Sequence, residues 1–225
     1  MEGRRQYFVS MSVPRYPVVV FDLDGTLLRS TSALAYLAEW MGHGGPIAEL
    51  DRRFRAQEIT NKDIADTSGA WFAGRHPDDF RDHLERAPWI VGIDATLAAL
   101  RELGCDVLLA TITWRFVAEL LQRRYGFHAV CGTEMGFNGE SLSGKVSRYF
   151  DAHDKPRFVE AWCSSRGFDL EQVAAVGDSR LDVPLFAHVG YAIALNATPD
   201  ARAAADCCLD TEDLTDVLDL LVVDA

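Results

Sequence analysis

The apolar positions of this chain change period along its length, and those changes divide it. Val18, Val19, Val20 and Phe21 form an unbroken apolar run after Pro17. A short run of this kind, bounded by Pro and Gly, predicts a strand buried on both faces, as in a parallel sheet. The runs at 106–111, 127–132, 173–178 and 190–195 predict further strands, and 207–209 a last edge strand. Between them the period turns helical. Asp94 is placed to cap a helix that Gly104 ends, and 113–125 carries Phe116, Val117, Leu120 and Leu121 on one stripe. Helices are also predicted at about 155–166, after the 173–178 strand, from Pro199, and at 214–222 at the C-terminus. Residues 134–146 read as a hairpin turning at Asn138–Gly139. Strands alternating with helices predict right-handed βαβ units and an α/β fold: a Rossmann-like, doubly wound parallel sheet.

From about 30 to 88 the strand signal disappears. Residues 31–42 place Leu34, Leu37, Ala38 and Met41 on one stripe, and Gly42, Gly44 and Gly45 read as a stop. Pro46 is placed to open a second helix and Thr60 to cap a third, which Gly69 weakens. Pro77 opens a fourth. The expected organisation is a core of 1–29 and 89–225, with 30–88 inserted as an all-helical cap over the core's active face. Residues 1–16 carry no clear period and read as a loose tail or a strap.

Composition narrows the class. Apolar residues make up 48% and charged residues 25% of the 225, as in an ordinary globular protein. The net charge of −12 argues against non-specific nucleic-acid binding, which needs a basic face. No apolar run reaches the length of a membrane span, and none of signal-peptide type follows Arg4 and Arg5. The five cysteines are odd in number and show no CxxC spacing, so disulfides and zinc are not expected and a reducing cytoplasm is.

The candidate chemistry sits at strand ends. Asp22 and Asp24 follow the first strand, with Gly25 and Thr26 next. Two such carboxylates raise one another's pKa unless a proton or a cation intervenes, and a hard cation such as Mg²⁺ suits them. Asp178 ends the 173–178 strand, and Asp182 follows one helical turn later. In a doubly wound sheet these two strands are neighbours at the switch point, which brings Asp22 and Asp178 to one cation. Asp182 would then orient the ligands from behind. Thr111 ends the 106–111 strand, where its hydroxyl can donate to an anionic group; Thr113 competes with it for the neighbouring helix cap. Only three lysines exist: Lys62 in the cap, Lys145 in the hairpin and Lys155 at a helix start. Lys145 reads as a solvated strand residue, and Lys155 opens the helix that leads to the 173–178 strand.

FDLDGTLL at 21–28 resembles the first motif of the haloacid dehalogenase-like (HAD) phosphohydrolase superfamily. Thr111, Lys155 and VGDSRLD at 176–182 are similar to its second, third and fourth motifs, in order. The small helical (C1-type) cap, the hairpin ending in SGKV and the stretch IALNATPDARAAAD resemble the phosphoserine phosphatase-like branch. The resemblance implies that Asp22 is the nucleophile and forms an aspartyl phosphate, and that Asp24 is the acid and base. It also implies that Asp22, the Asp24 carbonyl and Asp178 hold Mg²⁺. The branch carries a Glu for the substrate amine where this chain has Thr31, and an Arg where the region Asp66–Ser68 has none. Ile112 and Thr113 replace Gly-Gly, and Leu181 replaces Asn. Phosphoserine is therefore disfavoured. Specificity is expected from Thr31, Ile112 and Thr113, from Trp40, Arg53, Arg55, Trp71 and Phe72 of the cap, and from Arg180, placed to meet a second anionic group. Trp114 lies near the site by position. The expectation is a Mg²⁺-dependent phosphatase for a small phosphorylated metabolite. A phosphotransferase or mutase is the alternative. Retention of Asp24 and Asp178 argues against a dehalogenase, and the complete set Asp22, Asp24, Lys155 and Asp178 against a silent phosphate-binding protein. Nothing in the pattern points to an oligomeric state.

Overall fold

The computed structural model of the chain describes residues 12–224. Ser12–Pro14 (β1) precedes the central strand Val18–Phe21 (β2). The helical stretch then holds Ala33–Trp40 (α1), Gly44–Arg55 (α2), Asn61–Ser68 (α3) and the short Arg81–Leu84 (α4). Ile93–Glu102 (α5), Asp106–Trp114 (β3), Arg115–Tyr125 (α6) and the hairpin Ala129–Asn138 (β4) and Ser141–Arg148 (β5) follow. Asp154–Arg166 (α7), Val173–Gly177 (β6), Val183–Phe186 (α8), Tyr191–Leu195 (β7) and Pro199–Ala204 (α9) continue the alternation. Cys207–Leu209 (β8), Leu218–Leu221 (α10) and Val222–Asp224 (β9) close it.

Seven strands form one sheet in the order β5-β4-β3-β2-β6-β7-β8, parallel except for the β4–β5 hairpin. The chain builds outward from β2 on one side, then returns to β6 on the other, so β2 and β6 flank the switch point. All four β2 residues are fully buried. Val19 and Phe21 face one hydrophobic cluster, and Val18 and Val20 the other, which explains the unbroken apolar run.

The helical stretch is not a separate body. Its Leu37, Phe72, Phe80 and Leu84 belong to the same cluster as Trp114 and Phe116 of the sheet side. The amide of Gly74 donates to Leu142 O at 2.8 Å, and the amide of Leu142 to Arg75 O at 2.8 Å, tying it to β5. Asn61 Nδ2 donates to Phe150 O at 2.9 Å and Ile112 O at 3.2 Å. By contrast, α2 buries only Ile47.

Several boundaries differ from those the periodicity predicts. Gly44 and Gly45 begin α2 rather than end α1; only Gly42, at φ +85°, breaks the chain there. The third cap helix divides: α3 stops at Ser68 and Gly69–Phe72 tightens into 3₁₀ form. A Cβ on Gly69 would lie 2.7 Å from Gly144 O, so close packing against the hairpin takes the glycine. The fourth divides likewise, into 3₁₀ Pro77–Phe80 and α4. Left-handed Gly92, not Asp94, is the N-cap of α5, and Asp94 sits in its first turn. β3 runs past Thr111 to Trp114, and β4 continues directly into the hairpin. The helix after β6 spans only four residues. The C-terminal helix stops at Leu221, because the chain then pairs with β1, Val13 opposite Val223. Residues 12–14 of the expected tail are therefore a strand, and residues 1–11 lie outside the described residues. No helix among the described residues is long and apolar enough to cross a membrane.

Candidate active site

Phe21 pairs with Val176, and the amide of Asp22 donates to Val176 O at 2.9 Å. Asp22 and Asp178 are each the first residue past their strands, so they leave the sheet side by side. Gly25 turns the chain at φ +95°, and a Cβ there would lie 2.1 Å from Asp178 Oδ2. The loop after β2 and the Asp178 carboxylate therefore interlock, and only glycine provides both the dihedral and the space.

Lys155 stands behind them. It lies in the first turn of α7, 1% exposed, and Nζ donates to Asp22 Oδ1 at 2.6 Å and Asp182 Oδ1 at 2.7 Å. The other Asp182 oxygen accepts from the amides of Asp178 and Ser179, each at 3.1 Å. A continuous chain of charge-assisted bonds thus fixes both strand ends. Burial opposes the Lys155 charge, but Asp182 and Asp22 more than offset it and hold its pKa above the ordinary value. Burial, then the Asp182 charge, push Asp22 well above the usual carboxylate range, against the pull of Lys155. The same two causes push Asp178 up to about 7. Asp24 accepts from the amide of Ala33 at 2.7 Å, joining the loop to the start of α1; removal from water still pushes it up to about 6.

The donor set fits a hard divalent cation. Asp22, Asp178 and Asp182 each place a carboxylate oxygen within 4.8 Å of the others. Asp182 has both oxygens engaged by Lys155 and by backbone amides. Asp178 Oδ1 is buried with no hydrogen-bond partner, and Asp22 Oδ2 meets only the Thr26 hydroxyl at 3.4 Å. One buried acidic oxygen without a donor and a second with a single long one, beside an occupied third group, are what a cation satisfies.

On the other side of β2, the β3–β4 register shifts between Ala110 and Trp114. Such a bulge re-aims side chains at a strand end. Thr111 is 1% exposed, and its Oγ1 accepts from the amide of Thr113 at 3.2 Å. Its own proton is left to donate into the cavity. Thr113 Oγ1 is buried with no partner and caps no helix; Trp114 is the N-cap of α6, without a side-chain bond.

These strand ends open into a cavity of about 730 Å³ beneath the helices. Asp22, Asp24, Thr111, Asp178, Thr31, Ile112, Thr113 and Arg180 all line it. Arg180, expected to meet a second anion, lines the cavity and donates from one nitrogen to Phe54 O at 3.2 Å, 4.8 Å from the Phe54 ring. Of the expected cap residues, Arg55 lines the cavity. Trp40 stacks on His83 and Trp71 on His43. Phe72 is buried in the core, and Arg53 pairs with Glu58 at 3.5 Å. Lys145 is exposed on β5, and Lys62 pairs with Asp66. Asp51, Phe54 and Asn61 line the cavity without having been expected there. The spacing of Asp51, Phe54 and Arg55 at i, i+3 and i+4 is the signal that groups them on one helix face.

A family model for haloacid dehalogenase-like hydrolases matches residues 19–187, from β2 to just past α8. The chain belongs to the haloacid dehalogenase-like hydrolase family. Among curated proteins, this hydrolase is similar to a phosphoserine phosphatase of Archaeoglobus fulgidus, at 26% identity over 92% of this chain and 60% of that protein. It thus spans less than two thirds of the archaeal relative. A phosphoserine phosphatase of Lactococcus lactis is 24% identical over 91% of this chain and 94% of that protein. Among solved structures, a HAD family hydrolase from Salmonella enterica serovar Typhi superposes with a TM-score of 0.83 at 16% identity, covering 93% of this chain and 72% of the other. A substrate-bound phosphoserine phosphatase complex superposes with a TM-score of 0.78 at 18% identity, covering 92% and 98%. At these identities the structural likeness is one of fold. In this HAD-like hydrolase the residues matching the four motifs meet at one place: Asp22, Asp24, Thr111 and Asp178 line the cavity, and Lys155 stands behind Asp22.

Proposed function

We propose that this protein is a Mg²⁺-dependent phosphomonoesterase for a small phosphorylated metabolite, working through an aspartyl phosphate. The observation that carries the reading is the Asp22–Lys155–Asp182 chain set beside the unpartnered Asp178 oxygen. It supplies a fixed carboxylate, a buried cation and an unpartnered acidic oxygen around one point.

In this reading Asp22 attacks the phosphorus, and its backbone and Lys155 hold it in line. Thr111 donates its hydroxyl proton to a phosphoryl oxygen, and Lys155 stabilises negative charge as it develops. Asp24, whose pKa is raised to about 6 by burial, gives its proton to the leaving alcohol oxygen and takes one back from water in the second step. Asp22, Asp178 and the Asp24 carbonyl would hold Mg²⁺, which when bound neutralises phosphate charge. Asp182 positions Lys155 and the Asp178 backbone. Residues 30–88 act as the cap that excludes water from the cavity. The five free cysteines and the net charge of −12 support a place in a reducing cytoplasm, apart from nucleic acids.

The test is hydrolysis of p-nitrophenyl phosphate with Mg²⁺ and with EDTA. Activity is expected with the metal and lost with chelation. Asp22→Asn should abolish turnover with the fold intact; wild-type activity in that variant would refute the assigned nucleophile.

A further inference from the structure

The cavity of about 730 Å³ can hold a whole small-molecule ligand, so it leaves room beyond the phosphoryl group. The reading above puts the leaving oxygen at Asp24, whose carboxylate is tied to the amide of Ala33 at the start of α1. The alcohol portion therefore faces the inserted helices. Each of the first three gives the cavity one apolar side chain: Leu34 from α1, Phe54 from α2 and Ile64 from α3. Ile112 of β3 and Leu181 of the loop after β6 add two more from the core side. Asn61 Nδ2 reaches Ile112 O, and Arg180 reaches Phe54 O, so the two sides of this wall are joined.

Two features mark the wall as a ligand surface. Phe54, Ile64 and Leu181 belong to neither hydrophobic cluster of the fold, although Ile64 is buried and the other two half-buried. Their apolar surface is turned to the cavity rather than spent on the core. The polar groups among them are, by contrast, taken up within the protein. Thr31 donates to Ser32 O, and both ends of the Asn196 amide bond the Thr211 backbone. Arg29 donates to Gly25 O, and Asp51 has the charge of Arg55 one turn away. A polar group placed against this wall would lose water without gaining a partner, whereas an apolar one would gain by leaving water.

We propose that Leu34, Phe54, Ile64, Ile112 and Leu181 form an apolar subsite for the leaving group, so that the enzyme acts on phosphate monoesters of apolar alcohols. This rests on the phosphomonoesterase reading above. Hydrolysis breaks the ester P–O bond and releases the alcohol and inorganic phosphate, with water as the other reactant; the apolar body takes no part in the bond changes. The subsite contributes by binding that body and placing the ester over Asp22.

The experiment measures kcat/KM for unbranched alkyl phosphates from ethyl to hexyl, and for the analogues in which a hydroxyl replaces the terminal methyl. p-Nitrophenyl phosphate is the reference substrate. In the wild-type protein kcat/KM is expected to rise by up to about fourfold for each methylene buried, until the subsite is filled. Each terminal hydroxyl should lower it by about tenfold. Leu181→Asn and Ile64→Thr should each reduce the gain per methylene and the penalty for the hydroxyl, and Leu181→Met should keep both. Every ratio is taken within one protein, so a change in overall activity or folded fraction cancels. A flat wild-type series, hydroxyalkyl esters as good as the alkyl ones, or an undiminished gain in both Leu181→Asn and Ile64→Thr overturns the proposal, while p-nitrophenyl phosphate hydrolysis leaves the phosphatase reading standing. Failure of the folded wild-type protein to hydrolyse any ester, the reference included, overturns both.

Discussion

Lys155 Nζ lies 2.7 Å from Asp182 Oδ1, and both side chains are almost completely buried. Asp182 in turn holds the amides of Asp178 and Ser179, so one lysine reaches both strand ends through two carboxylates. Removing one member of a buried pair leaves an uncompensated charge, at a cost of about 3–5 kcal/mol. Lys155→Met and Asp182→Ala should each destabilise by that amount in urea unfolding. The double variant should cost well under the sum, because the remaining charges no longer face each other. Strict additivity would show that the two groups do not act as a unit. Lys155→Met should also lower kcat by about 10²–10³, the loss seen when one preorganised donor is removed.

Gly25 makes a sharper test of the site than of the fold. Alanine at φ +95° is strained by about 1–2 kcal/mol, and its Cβ would overlap the Asp178 carboxylate. Gly104 has a similar dihedral, φ +83°, with nothing within 4 Å of its added Cβ. Gly25→Ala and Gly104→Ala should therefore lose comparable backbone stability, while only Gly25→Ala loses Mg²⁺ affinity and activity. Isothermal titration with Mg²⁺ alone reads the difference; equal affinities in the two variants would remove Gly25 from the site.

The sheet was legible in the chain because β2 and β6 are buried on both faces, and a strand buried that way is written as an apolar run that stops at an acid. Lys155 was legible because the chain has only three lysines and one opens a helix before a strand. The cap's inner wall was not. Trp40 and Trp71 look like ligand contacts by type, yet each stacks on a histidine, a choice made by tertiary packing that spacing does not reveal. Arg180 follows a strand end and lines the cavity, and its bond to Phe54 O is a tertiary contact that spacing does not reveal. The pairing of β1 with β9 joins the two ends of the described chain, and no local pattern at 222–224 distinguishes a strand from the last turn of a helix.

Asp178 sets a pH dependence in the metal-free protein. Its folded pKa of about 7 lies above the ordinary carboxylate value of 3.8, so the folded state holds the proton more tightly than the unfolded one. That contribution is fully present below the unfolded pKa and is lost as pH rises through the folded one. In EDTA, stability should fall as pH rises from about 4 through 7, Asp22 and Asp24 adding to the fall because burial also holds them above the carboxylate range, and Asp178→Asn should make it shallower. Added Mg²⁺ should raise Tm more at pH 8 than at pH 5, because the proton and the cation compete for the same oxygens. A Tm gain that is larger at low pH would contradict the assignment of Asp178 as a ligand.

Phe72 decides whether the helical insertion unfolds with the core. It is fully buried, 5.4 Å from the rings of Phe80 and Phe116 and 6.0 Å from that of Trp114, so one aromatic cluster crosses from cap to sheet. Truncating a buried Phe costs about 3–5 kcal/mol. If the cap folded alone, Phe72→Ala would melt it early and leave the sheet standing, giving two transitions. Because Leu37, Phe72, Phe80 and Leu84 share their cluster with β3 and α6, the expected outcome is a single transition at lower temperature. Far-ultraviolet circular dichroism and tryptophan fluorescence should then report the same midpoint. Separate midpoints would show instead that the helical stretch unfolds apart from the sheet.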